Sequence, residues 1–138
     1  MLSPRPHLIE RIKRHEGLRL KPYICPTGHL TIGYGRNIEA NGITEEEAEY
    51  LLAHDVQRAE KDAQSLEWFQ GLSGPRQEVV VEMVYQMGLR TVRGFLRLAK
   101  AIRNEDWDEA ANQMLDSMWH KQTPQRCEEL AAIMREGE

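Results

Sequence analysis

The chain is expected to adopt an α+β fold, mostly α, in which a small N-terminal β-hairpin lobe packs against a helical bundle. Three observations predict it. Helical periodicity opens the chain and returns from Thr44 onward. Between them lies a short segment of alternating apolar residues around a Pro26-Thr27-Gly28 turn. At 138 residues, with 41% hydrophobic and 29% charged side chains, there is material for one core without staples. A single domain over 1–138 is expected, with a small lobe at about 17–43 and a helical lobe made of 1–16 plus 44–138. A cleft between the two is the natural place for a ligand.

Leu8, Ile9 and Ile12 share one helical stripe, with Glu16 closing the first helix and Gly17 placed as a left-handed cap. Leu20, Tyr23, Ile24, Leu30, Ile32 and Tyr34 flank the turn as a hairpin, and Gly33, Gly35, Asn37, Asn41 and Gly42 then read as a loop. Thr44-Glu45-Glu46-Glu47 is a capping box that opens a long helix, whose apolar positions are Leu51, Leu52, Val56, Ala59 and Ala63. After the break at Gly71–Pro75, Val79, Val80, Val81, Met83, Val84 and Met87 make a core helix that stops at Gly88. A helix through Phe95–Ile102 follows. Asp106 with Glu109 caps the next, whose buried stripe is Trp107, Ala110, Ala111, Met114, Leu115 and Met118. Thr123 as N-cap and Pro124 at the first position open a last helix that ends at Gly137. No internal repeat is found.

Composition excludes several classes. A net charge of −4 and a pI near 5.8, with bases interspersed among acids, argue against a nucleic-acid footprint. Cys25 and Cys127 fit neither a disulfide scaffold nor a zinc site, and the five histidines never fall at ligand spacing. No run approaches the roughly 18 apolar residues of a membrane span, since Val79–Val81 is interrupted at Glu82. Met1–His7 carries two prolines and no apolar stretch, so no secretory signal is read.

Reactive groups concentrate between Glu16 and Thr31, where Arg19, Cys25 and His29 also lie. A carboxylate ending a helix feels the negative end of the dipole and lacks backbone donors, which suits a general acid. The alternatives from the residues alone are a solvated terminal glutamate and a cysteine acting as a small buried hydrophobe.

The segment His15-Glu16-Gly17-Leu18-Arg19-Leu20-Lys21-Pro22-Tyr23, followed by Gly28-His29-Leu30-Thr31-Ile32-Gly33-Tyr34-Gly35, resembles the active-site signature of the T-even phage lysozyme family, glycoside hydrolase family 24. In that signature a Glu is followed after eight residues by Asp or Cys, and after five more by Thr. Glu16, Cys25 and Thr31 satisfy both spacings. Tyr85-Gln86-Met87-Gly88, Gly94-Phe95, Trp107–Ala111, and Trp119 ahead of Gln122–Arg126 match in order, so the resemblance covers nearly the whole chain. It implies a lysozyme-like fold and hydrolysis of the β-1,4 bond from N-acetylmuramic acid to N-acetylglucosamine in peptidoglycan. Glu16 would be the general acid, with Cys25 and Thr31 holding the attacking water. Asn37, Tyr85, Gln86, Leu98 and Gln113 would bind saccharide, and Arg126 corresponds to an arginine that pairs with the catalytic glutamate. Trp107 and Trp119 are assigned to packing.

The resemblance calls for no cofactor, metal or organic. It implies peptidoglycan strands as partner, a monomer, no nucleic acid and no stable membrane association. It also implies a phage endolysin made in the host cytoplasm, reaching the periplasmic wall after a holin breaches the inner membrane.

Three departures stand out. Cys25 occupies a position more often held by Asp. A free thiol, with a pKa of roughly 8.5, would be mostly protonated at neutral pH, and a neighbouring Glu16 would push it higher. Water positioning is the favoured role for Cys25; a weak base and a nucleophile giving a retained product are the others. The chain between Gly35 and Thr44 is short, which trims the small lobe. The net charge is negative although the best-known family members are basic, so steering to the wall should be weak unless Arg11, Lys13, Arg14, Arg19 and Lys21 gather near the cleft. A peptidoglycan-binding module with little hydrolysis is therefore the alternative function, and a cysteine hydrolase a third.

Overall fold

The structure, a computed structural model, describes residues 5–138; the reading made on Met1–Pro4 lies outside the described residues. The elements are α1 (Pro6–Glu16), β1 (Arg19–Ile24), β2 (Leu30–Gly33), β3 (Arg36–Asn37), α2 (Ile38–Asn41), α3 (Glu45–Gln64), α4 (Gly74–Met87), α5 (Leu89–Arg93), α6 (Leu96–Arg103), α7 (Trp107–Leu115), α8 (Met118–Gln122) and α9 (Pro124–Glu136). The fold is thus α+β with one small antiparallel sheet of order β1-β2-β3. No helix among the described residues is long and apolar enough to cross a membrane.

The chain forms two compact units, one ending at Glu49 and one from Tyr50 to Glu138. The first unit groups α1 and the start of α3 with the sheet, and local chemistry accounts for both. Gly17 has the positive φ expected of a cap (+72°), but its ψ of 164° sends the chain straight into β1. Arg36 on β3 forms a bidentate pair with Glu47 and also donates to the Gly42 carbonyl, tying the first turn of α3 to the sheet. Glu47 serves the capping box as well: its backbone N–H donates to Thr44 Oγ1 at 3.1 Å, and its carboxylate accepts from the Thr44 N–H at 2.8 Å.

In the first unit the Cys25–Gly28 turn is closed by Gly28 N–H to the Cys25 carbonyl (2.8 Å) and Cys25 N–H to the His29 carbonyl (2.9 Å). Pro26 sits at the position where a fixed φ helps the turn. Tyr23 pairs with Thr31 and Ile24 with Leu30, and a bulge interrupts the ladder between Arg19 and Tyr23. The segment expected as a loop also carries structure. Thr31 pairs with Asn37 and Ile32 with Arg36, and Asn37 Oδ1 accepts from the Ala40 N–H at 3.0 Å, capping α2.

The second unit holds the hydrophobic core. α9 packs on α4, α7 and α8, and α7 also on α6. Val79, Val80, Met83, Val84, Val92, Leu98, Ile102, Met114, Trp119, Leu130 and Met134 are buried there. Between α3 and α4, backbone bonds from Ser65 to Asp62, Leu66 to Ala63, Phe69 to Leu66 and Leu72 to Phe69 give a three-residue period. That period directs Leu66, Phe69 and Leu72 inward.

Three sequence expectations are corrected. Of the α3 stripe only Ala59 and Ala63 are buried; Leu51, Leu52 and Val56 are exposed, because the helical core covers only the C-terminal half of that helix. Met118 opens α8 and is exposed. Trp107 is half-buried and carries the Arg76 guanidinium 3.7 Å above its ring. Thr123 holds the N-cap position of α9 but makes no side-chain cap bond, since its hydroxyl faces Gln86 and the Trp119 carbonyl.

Candidate functional site

The first unit brings Cys25, Thr27, His29 and Thr31 together. The tight turn folds Thr27 back so that its Oγ1 lies 3.1 Å from Cys25 Sγ. Thr31, on the central strand, is 3% exposed, and its hydroxyl donates to the His29 carbonyl at 2.8 Å. His29 Nδ1 lies 3.6 Å from Glu39 Oε2. Glu16 ends α1 with its carboxylate exposed and set against the backbone of Gly35 in the turn after β2.

These donors change the sulfur. The Thr27 hydroxyl first, then the backbone N–H of His29 and the Thr31 hydroxyl, stabilise the thiolate and lower the Cys25 pKa to about 6. Thr31 contributes when its one proton turns to the sulfur instead of to the His29 carbonyl. The expectation of a thiol pushed upward is therefore corrected in direction: these donors favour the thiolate, and with it a negative charge at a position where the family more often has an aspartate. The folded state favours the thiolate, so its contribution to stability is fully present above the free-thiol pKa and is lost as pH falls through about 6.

Burial pushes the Cys127 thiol the other way, up to about 11, and its Sγ donates to the Met114 carbonyl at 3.3 Å. Both cysteines are free. Brief treatment with iodoacetamide is thus expected to alkylate Cys25 alone, at a rate that rises through a midpoint near pH 6. Intact mass and peptide mapping across pH 4–9 check this, and a midpoint above 8 would remove the thiolate from the account.

The residues expected from the resemblance to bind saccharide disperse over the second unit, apart from Asn37, which caps α2 in the first. A hollow of about 330 Å³ is lined by Gly94, Phe95, Leu98, Gln113, Asp116 and Ser117. A second, of about 490 Å³, is lined by Gln86, Met87, Thr91, Phe95, Ser117 and Trp119. The two share Phe95 and Ser117, neither picked out from the sequence as a site residue. Tyr85 lines a separate hollow of about 440 Å³ with Asp55, Arg58 and Asp62.

Leu98 is 1% exposed and packs in the core because it lies on the buried stripe of α6, so its side chain offers little to a sugar. Gln113 is half-buried, and its Nε2 donates to Glu109 Oε1 at 3.0 Å. Arg126, also half-buried, donates from Nε to Glu82 Oε2 at 2.7 Å, an ion pair between α9 and α4.

Gln86 is a joint between helices. Its Oε1 accepts from Trp119 Nε1 at 2.9 Å, and its Nε2 donates to Thr123 Oγ1 at 3.1 Å, linking α4 to α8 and to the start of α9. Gln86→Leu leaves the buried indole N–H without its acceptor, at a cost of about 1–3 kcal/mol. Chemical denaturation followed by tryptophan fluorescence should show that loss, whereas an unchanged midpoint would mean that the two bonds of Gln86 do not hold the helices together. Among the described residues no group of three or more His, Cys, Asp or Glu side chains is placed to hold a metal ion.

The family model described as phage lysozyme matches residues 13–136, a span that takes in Glu16, Cys25 and Thr31. The chain belongs to the phage lysozyme family. Relatives of this lysozyme-family chain come from phages and from an amoeba. It is 28% identical to probable T4-type lysozyme 1 of Dictyostelium discoideum, over 93% of each chain. It is 30% identical over 98% of its length to the pre-baseplate central spike protein of Enterobacteria phage T4, of which it spans only 28%. An endolysin of Acyrthosiphon pisum secondary endosymbiont phage 1 is 50% identical over 33% of each chain.

Proposed function

We propose that this chain is a muramidase of the endolysin type, hydrolysing the β-1,4 bond from N-acetylmuramic acid to N-acetylglucosamine of peptidoglycan. The observation that carries the reading is the Glu16, Cys25, Thr31 set, at family spacing and within one compact unit, with hydroxyl and backbone donors gathered on the cysteine sulfur. Glu16 protonates the leaving oxygen as an oxocarbenium-like sugar forms. The Cys25 thiolate, with Thr31 beside it, orients the attacking water and takes its proton. Asn37, Tyr85, Gln86 and Gln113 stand as saccharide contacts of secondary weight, and Leu98 supports them from the core. The family to which the chain belongs and its partial likeness to a phage endolysin support a role in breaching the host wall from within.

Purified Gram-negative sacculi separate hydrolysis from mere binding. The reading expects wild-type protein to clear the suspension and release soluble glycan. Co-sedimentation with intact sacculi and no clearing at any pH would make the chain a wall-binding module. The anomer formed first, followed by NMR, tests the role of Cys25. Inversion is expected if the thiolate positions water, and retention would make it a nucleophile.

A further inference from the structure

We propose that Gly35 is a positioning residue for Glu16, the missing side chain at position 35 being the seat of the carboxylate. The proposal rests on the reading of Glu16 as the general acid. A Cβ built on Gly35 would fall 2.7 Å from Glu16 Cδ and 3.1 Å from Cγ, and closer still to Oε2. Glu16 is the last residue of α1, and within its own unit no described residue hydrogen-bonds its carboxylate. The Gly35 backbone is thus the surface against which the acid rests. Gly17, Gly28 and Gly33 also have positive φ, at +72°, +87° and +72°, but a Cβ at any of them meets nothing within 4 Å. Gly35, at φ +79°, is the one of these four whose bareness serves a neighbour as well as the turn.

The consequence is specific. The atoms that a methyl group at position 35 would strike are the far end of a flexible side chain, so the clash is relieved by swinging the carboxylate away and not by moving backbone. The fold survives and the acid is misplaced. A displacement of about 1 Å at a reacting group can cost about 10²-fold in rate. Gly33→Ala carries matching backbone strain with open space around it, which isolates that cost from the effect on Glu16.

The test compares wild type, Gly35→Ala, Gly33→Ala and Glu16→Gln for thermal melting and for kcat and KM on soluble, uncrosslinked glycan strands. The proposal expects Gly35→Ala and Gly33→Ala to melt together. It expects Gly35→Ala to lose about 10- to 100-fold in kcat at unchanged KM, and Gly33→Ala to stay within about threefold of wild type. Glu16→Gln should lose about 10²–10⁴-fold in kcat. If Glu16→Gln shows that loss and Gly35→Ala performs like Gly33→Ala, the proposal is overturned and the general acid stands. Melting of Gly35→Ala far below Gly33→Ala also overturns it, because the fold and not the carboxylate then absorbs the clash. A Glu16→Gln variant as fast as wild type removes the general acid, and this inference with it.

Discussion

Glu16→Gln is expected to slow sacculus clearing by about 10²–10⁴-fold while leaving the melting curve and sacculus binding as in the wild type. The amide keeps the size and the exposed position of the side chain but has no acidic proton for the leaving oxygen. Because Glu16 is exposed and bonds to no described residue of its own unit, no packing or hydrogen bond there is lost with the charge. The change therefore reads out chemistry alone. Rates from initial turbidity loss, with binding measured by co-sedimentation, check it. A drop in binding that matches the drop in rate would mean that Glu16 holds the glycan and does not protonate it.

The largest stability effect is expected from the core of the second unit. Met83, on α4, has no exposed surface and lies in the cluster that includes Val80, Met114, Leu130 and Met134. Met83→Ala removes buried apolar surface and leaves a cavity, a combination that costs about 2–5 kcal/mol. For a chain of this size that corresponds to a fall in Tm of roughly 10 °C. Leu52→Ala makes the contrast: its side chain is exposed on α3, so a change within about 1 kcal/mol is expected despite its apolar character. Scanning calorimetry of the two variants checks both, and equal losses would mean that α3 packs along its whole length.

That contrast marks where the sequence is legible. Signals that act within a few residues read correctly: the Thr44–Glu47 capping box, Asp106 accepting from the Glu109 N–H, the Pro26-Thr27-Gly28 turn, and Gly137 ending α9 in a left-handed conformation. Signals that depend on what covers a face do not. Leu51, Leu52 and Val56 have the spacing of a buried stripe, but spacing says nothing about where the core ends. The Gly33–Gly42 segment reads as a loop from its glycines and asparagines. Yet Asn37 pairs with Thr31 and caps α2, because one short amide can end a strand and start a helix.

The candidate site divides in the same way. The resemblance to the family signature points to Glu16, Cys25 and Thr31, and the hairpin brings the last two together. The state of Cys25 is not legible, since it depends on the Thr27 hydroxyl and the His29 N–H turning toward one sulfur. A threonine two residues after a cysteine, inside a turn, is the local signal that points to it. The space above Gly35 is equally invisible, because a glycine required by φ and one required by a neighbour look alike in sequence. In the second unit, the family resemblance places Leu98 at a sugar contact, while its helix stripe places it in the core.

The most direct test of the central claim is the chemistry of the ends made in sacculi digested by the wild-type protein, reduced with borohydride and analysed by mass spectrometry. Hydrolysis at the muramic acid carbon predicts glycan fragments terminating in muramitol, formed by the wild type and about 10²–10⁴-fold more slowly by Glu16→Gln. Fragments ending in reduced N-acetylglucosamine, in anhydromuramic acid, or cut only in their peptides would contradict it.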